Sequence, residues 1–331
     1  MSFLGDLSVR ATVDLAVRAE QLGVDSVWMS ETYFERDAWT ALAAIAASTH
    51  RVRVGSGVVP VFMRHPALLA MSFATLNELT GGRVVAGIGT GVGNVVSEQL
   101  SYDYRSPISA MREAITILRA MLAGDTVDVE GRIFSARRVE LATVPASPKL
   151  PIHLAALGPK MCALAGELAD GVHYDSPTPR LIADLNKQVD VGLERAGRTS
   201  SDFERVAWMI CGVHDDEDIA HDIAREHIAV ALSTALGEYQ LEQEDLDPAI
   251  AVVLRQAIAR GGLAEAVRHV PRELVDAFSV SGTPSQVIEK VEALFDAGIN
   301  HPVLTAYGPF AAHVLPVAAR FGSADGSSQR A

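Results

Sequence analysis

The reading of the fold turns on Arg83-Val84-Val85-Ala86-Gly87-Ile88-Gly89-Thr90-Gly91-Val92-Gly93. The run 83–86 has the length and apolar character of a buried strand. It empties into alternating glycines, which leave backbone N–H groups bare and permit left-handed conformations. Such a loop wraps a phosphate, and it serves equally as a plain turn. It is not the dinucleotide fingerprint, because no helix opens directly on the third glycine. Asn94-Val95-Val96-Ser97-Glu98 follows instead, a weak helix opener.

Working outward, short β-type runs alternate with amphipathic helical runs. Strand starts fall near residues 2, 25, 52, 83, 152, 172, 205 and 302. The spacing predicts helices over 38–48, 66–79, 109–122, 160–169, 179–196 and 310–321. Eight β units separated by helices point to a (β/α)8 barrel, with a doubly wound open sheet as the alternative. One domain over 1–321 is expected, with a hairpin excursion near 126–141 and a helical insertion near 216–270. The small, polar tail 322–331 is expected to be disordered.

Composition narrows the function classes. The chain has 331 residues and a net charge of −13, which argues against a non-specific nucleic-acid surface. Any anionic ligand must then be held by local donors. Two cysteines, Cys162 and Cys211, exclude a disulfide framework and suit a reducing, cytoplasmic compartment. No apolar run has the length of a membrane span, so neither membrane nor nucleic acid is an expected partner. The histidines lack metal-ligand spacing, and His221 and His227 read as part of a solvated helix face.

In a barrel, chemistry sits at the C-terminal ends of the strands. That rule selects Asp6 after strand one and Glu31 and Thr32 after strand two. It also selects Ser56, Gly57 and Val58 at strand three, and Gly89, Thr90 and Gly91 after strand four. After strand five come Ala155, Ala156, Leu157, Gly158 and Pro159. The carboxylates suit proton transfer. Residues 155–160 pass from strand to helix through small residues, and Pro159 fits a first helical turn whose free amides favour an anion. Glycines inside strand three invite either a flat ring resting on the backbone or a bulge for curvature.

With these pieces assembled, the chain resembles the bacterial-luciferase-like family of flavin and deazaflavin barrel enzymes. The closest likeness is to its coenzyme F420-dependent branch, which includes the methylenetetrahydromethanopterin reductases. The carrying residues are Leu22-Gly23-Val24-Asp25-Ser26-Val27-Trp28, Arg64-His65-Pro66-Ala67 and Ala74-Thr75-Leu76-Asn77-Glu78-Leu79-Thr80-Gly81-Gly82-Arg83. Gly87-Ile88-Gly89-Thr90-Gly91, Gly158-Pro159-Lys160-Met161 and Ala277-Phe278-Ser279-Val280-Ser281-Gly282-Thr283-Pro284 complete the set.

The resemblance implies a non-prolyl cis peptide at Gly57–Val58 backing the deazaflavin ring. It implies a coenzyme phosphate held by Gly89-Thr90-Gly91 and Ala156-Leu157-Gly158, and an acidic Asp6 near the reacting carbons. It also implies a homodimer and a small-molecule substrate reduced at C=N or C=C. Glu31-Thr32 departs from the Asp-His that many relatives carry, and Thr32 stands as the possible substitute for that histidine. The alternative within the fold is an FMN-dependent monooxygenase. A phosphate-binding barrel without a flavin and a non-catalytic F420 binder are the other readings.

Overall fold

A computed structural model describes residues 1–143 and 149–322. The strands are β1 Ser2–Phe3, β2 Ser26–Met29, β3 Arg53–Ser56, β4 Val59–Pro60, β5 Val84–Gly89, β6 Val127–Glu130, β7 Ser135–Val139, β8 Ile152–Ala155, β9 Gly171–Asp175, β10 Glu204–Ile210 and β11 His301–Ala306. The helices are α1 Val9–Gln21, α2 Ala38–Ser48, α3 Pro66–Thr80, α4 Pro107–Ala123, α5 Pro159–Leu168, α6 Pro179–Arg195, α7 Glu217–Leu232, α8 Ala235–Gln243, α9 Ala249–Gly261, α10 Leu263–Ala266, α11 Arg272–Phe278, α12 Pro284–Asp296 and α13 Ala311–Arg320. The expected polar tail lies, from residue 323, outside the described residues.

All eight expected strands form, and they pair in parallel around a closed ring that β3 completes against β5. The hairpin pairs β6 with β7 in antiparallel fashion between α4 and β8, its second strand starting two residues later than the motif suggested. The insertion is built of α7 to α10, and α11 and α12 follow it before β11. The sequence reading had assigned no helix over 284–296. Yet Pro284 and the reciprocal Thr283–Gln286 capping box are strong start signals there. Proline also opens α3, α4, α5 and α6, where its missing N–H costs nothing.

Strand three is not continuous. Gly55 pairs with Val85, and Val59 with Ile88, so four steps on one strand face three on the other. The extra residue makes a bulge, and at its centre the Gly57–Val58 peptide is cis. The Gly57 N–H donates to Met29 O at 2.9 Å, and Ser30 Oγ donates to Gly57 O at 2.7 Å. Both partners belong to β2 or its end, so the bulge is fixed from the side.

The barrel interior departs from the usual branched aliphatic filling. Trp28 and Trp208 cross edge-to-face at 6.0 Å, packed with Val85, Val206 and Val303. A Cβ on Gly55 would overlap the Trp28 ring, and one on Gly57 would overlap the Trp208 ring. The glycines of β3 are therefore set by indoles inside the barrel. Of the two readings of these glycines, a ring on the backbone or a bulge, the bulge is present, and the indoles account for the missing side chains.

Below them, at the strand starts, Arg53 donates to Glu204 Oε1 at 2.5 Å, and His301 lies 3.3 Å from the same carboxylate. Burial opposes ionisation of Glu204. Hydrogen bonds from His301 and Arg53 overcome it and hold the carboxyl below its usual range. His153 and His173 are buried beside the indoles, with Nδ1 of the first 3.0 Å from Nε2 of the second. Burial pushes His153 down to about 4 and His173 well below its ordinary value, the latter helped by neighbouring histidines.

Stability should therefore fall with acid. An unfolded histidine takes up its proton near pH 6.5, whereas folded His153 resists protonation until about pH 4. As pH drops through that window the unfolded state gains protons that the folded state does not. The loss is roughly 3 kcal/mol for His153 alone. Glu204 adds a further loss as pH falls below the ordinary carboxylate range. Melting temperature measured from pH 7 to 4 should decline throughout, and a flat profile would contradict a neutral buried pair.

Candidate active site

The C-terminal mouth gathers most of the selected residues. Gly57 and Val58 lie half-exposed at the end of β3. A Cβ on Gly89 would come within 2.6 Å of Val58 Cγ2 and 3.3 Å of the Ala155 Cβ. Glycine at 89 thus lets β3, β5 and β8 meet as one unbroken wall.

Beyond it, Gly91 has a φ of 76°, which only glycine adopts readily. The Tyr33 hydroxyl closes over this position and accepts the Val92 N–H at 2.8 Å. Tyr33 itself has a φ of 50°, so a strained residue of the β2 end pins the glycine loop. A π-helical turn, Val95–Gln99, then leads away instead of an α-helix.

The second loop is equally open. The Ala156 N–H is tied to His173 O at 2.9 Å, and Gly158 begins α5 with no side-chain cap. Nothing lies within 4 Å of a Cβ built on Gly158. The start of α5 and the Gly89-Thr90-Gly91 turn adjoin across paired strands, so their backbone amides can converge on one anion.

Other selected residues have different duties. Ser56 is buried and donates to Gly87 O at 2.7 Å, which ties β3 to β5 and turns its hydroxyl away from the mouth. Thr32 donates to Glu35 Oε2 at 2.8 Å and accepts the Gly5 N–H at 3.2 Å. It braces the β1 and β2 ends instead of pointing to a ring. Glu31 is half-buried. Burial raises its carboxyl, and Asp37 adds to this, while the Ala38 and Tyr33 N–H groups pull the other way. Asp6 is exposed, and its Oδ2 accepts the Gly308 N–H at 2.9 Å, joining the loops after β1 and β11.

Three further groups stand at the mouth, of which Asp175 is already a strand-end residue in the sequence. Asp175 ends β9 with its side chain open to the mouth, and burial among surrounding atoms raises its carboxyl. Tyr307 follows β11 and is 7% exposed. His227 of α7 stacks on it with ring centroids 3.4 Å apart, and burial pushes His227 down to about 4. Neither His227 nor His221 lies on a solvated face. His221 is buried, with its Nε2 3.0 Å from Asp276 Oδ1. The strand-end rule itself selects positions 175 and 307. The stacking of α7 has no local signal.

Among the described residues no group of three His, Cys, Asp or Glu side chains is arranged to hold a metal, and no helix is long and apolar enough to cross a membrane.

These features define a (β/α)8 barrel in which the cis-peptide bulge after β3 stands beside two loops rich in free amides. The family model of the luciferase-like monooxygenases matches residues 4–301, and the chain belongs to that family. It is 35% identical over 289 residues to 5,10-methylenetetrahydromethanopterin reductase of Archaeoglobus fulgidus, covering 86% of each chain. It is 31% identical over 305 residues to F420-dependent glucose-6-phosphate dehydrogenase of Microbacterium testaceum, covering 88% of this chain and 85% of that one. The solved coenzyme F420-dependent tetrahydromethanopterin reductase of Methanopyrus kandleri superimposes with a TM-score of 0.89 at 24% identity, over 97% and 96% of the two chains.

Tyr33→Phe should remove the acceptor for the Val92 N–H at a cost of about 1 kcal/mol. Amide exchange at Val92 is then expected to accelerate while exchange in β5 stays unchanged.

Proposed function

We propose that the protein is a coenzyme F420-dependent oxidoreductase that transfers hydride to or from a small organic molecule. Reduction of C=N or C=C is the favoured direction. The observation that carries this is the join of the Gly57–Val58 platform to the Gly89 and Gly158 loops. A flat ring with a phosphate-bearing tail suits that contour; the relative at 31% identity is F420-dependent by name, and the one at 35% is by name a methylenetetrahydromethanopterin reductase.

A deazaflavin supplies hydride from one ring carbon and does not readily activate oxygen. The chain's own tasks follow from that. Gly57 and Val58 would present backbone to the ring. Gly89, Thr90, Gly91, Ala155, Ala156, Leu157, Gly158 and Pro159 would hold the phosphate through amides and a helix start. Ser56 keeps the platform strand in register. Asp6 and Glu31 stand at the rim as carboxyls able to hold or release a proton, and Thr32 fixes the loop between them. Tyr307, His227 and the insertion close the far side against water.

The reading extends to assembly and compartment. α2 carries no charged residue and α3 only Glu78, although the chain is rich in charge elsewhere. Leu68, Met71 and Leu79 of α3 are about half-exposed, a face suited to a second copy. Two buried free thiols suit a reducing cytoplasm.

Fluorescence titration with F420 and with FMN tests the coenzyme assignment. F420 should bind more tightly, and preference for FMN would favour the monooxygenase alternative. Gly91→Asp should weaken F420 binding at least tenfold through charge repulsion, and unchanged affinity would remove the phosphate role. For assembly, Leu68→Asp with Met71→Asp should convert a dimer to a monomer in light scattering.

A further inference from the structure

We propose that Asp175 is the proton donor of this site, acting from the wall that faces the Gly57–Val58 platform. The inference rests on the hydride-transfer reading above. Around the closed sheet, β3 is followed by β5, β8, β9, β10, β11, β1 and β2. In a ring of eight strands β10 therefore lies across the mouth from β3, flanked by β9 and β11. A substrate lying between the platform and the opposite wall would therefore meet the ends of β9, β11 and β1, which carry Asp175, Tyr307 and Asp6. His227 leans in from α7 over Tyr307.

The rim carboxyls are not equivalent. Asp6 is occupied by the Gly308 N–H. Glu31 stands beside the platform, with the Ala38 and Tyr33 N–H groups directed at it. Asp175 has a single weak side-chain partner, Ser176 Oγ at 3.3 Å from Oδ1. Its position is nevertheless firmly set from behind. Gln240 of α8 is buried and donates through Nε2 to Asp175 O at 2.8 Å and to Ser176 O at 3.2 Å. Ser176 follows with a φ of 44°, a strained conformation at a buried non-glycine residue. The backbone is thus held so that a sparsely bonded carboxyl faces the mouth.

Tyr307 is the titratable group that feels Asp175, and Tyr307 in turn neighbours Asp6 and Cys211 and stacks on His227. None of them is a cation at neutral pH: burial keeps His227 uncharged and raises Tyr307 well above its ordinary value. Among the described residues no positive charge is seen to favour ionised Asp175, and the atoms packed around it favour the acid form.

The chemistry balances. Reduction of a C=X bond breaks the π bond. A C–H bond forms from the hydride and electron pair given up by the reduced coenzyme, which is oxidised. An X–H bond forms from the Asp175 O–H, and the carboxylate left behind regains a proton from water. Asn at 175 keeps the backbone contacts of Gln240 but carries no such proton.

Infrared titration of the F420-bound protein tests this. The difference spectrum of wild type minus Asp175→Asn should show a carboxylic-acid carbonyl band that persists above the ordinary aspartate range. The same band should remain in Asp6→Asn and Glu31→Gln. Absence of that difference band overturns the assignment. With 2-cyclohexen-1-one as a probe acceptor, any wild-type reduction should fall about 100-fold in Asp175→Asn at unchanged F420 affinity. Retained reduction would overturn it too. Failure of F420 to bind wild type would instead overturn the coenzyme reading, so the two failures are distinguishable.

Discussion

Two indole rings inside the barrel leave no room for a side chain on the strand they touch. Trp28 stands where a Cβ on Gly55 would be, and Trp208 where a Cβ on Gly57 would be. Close packing makes this an absolute constraint, because neither ring is at the end of a flexible chain. Glycine at both positions strips β3 to bare backbone as it reaches the mouth. The bulge and the cis Gly57–Val58 bond then present that backbone outward. The platform thus originates in the packing beneath it.

Around this platform the mouth divides by strand. The ends of β5 and β8 supply amides and almost no side chains, and Tyr33 from the β2 end clamps the loop after β5. The ends of β9 and β11 supply the polar side chains, backed by α7 and α8. The buried histidine pair lies below both halves and couples the barrel to solvent pH only through unfolding. Its members stay neutral across the working range, so they contribute rigidity and no charge.

Much of the fold was legible because buried parallel strands are short apolar runs, and every one of the eight starts was marked in that way. Helices opening on Pro66, Pro159 and Pro179 were legible for an equally local reason. The glycine loops were legible as bare backbone, since alternating glycines after a strand leave the amides uncovered whether or not a ligand uses them. What escaped depends on residues far apart in the chain. Trp28 dictates Gly55 from 27 positions away, and Gln240 sets Asp175 from 65 positions away. His227 looked solvated because its helix is polar on its other faces, and only the stacking on Tyr307 reveals its inward side. Ser56 and Thr32 were chosen correctly as strand-end residues, yet their hydroxyls are consumed by the scaffold.

The insertion centres a second hydrophobic cluster. Ala224, Ile228, Leu232, Leu241 and Leu254 pack with one another and with Ile210, Phe278 and Tyr307, separate from the larger core between barrel and outer helices. A segment whose packing is largely its own can change its loops and surface without disturbing the joined ends of β3, β5 and β8. Selection can therefore remodel one side of the mouth while the other stays constant. The same partition makes α7 to α10 a natural cassette for exchange between related barrels.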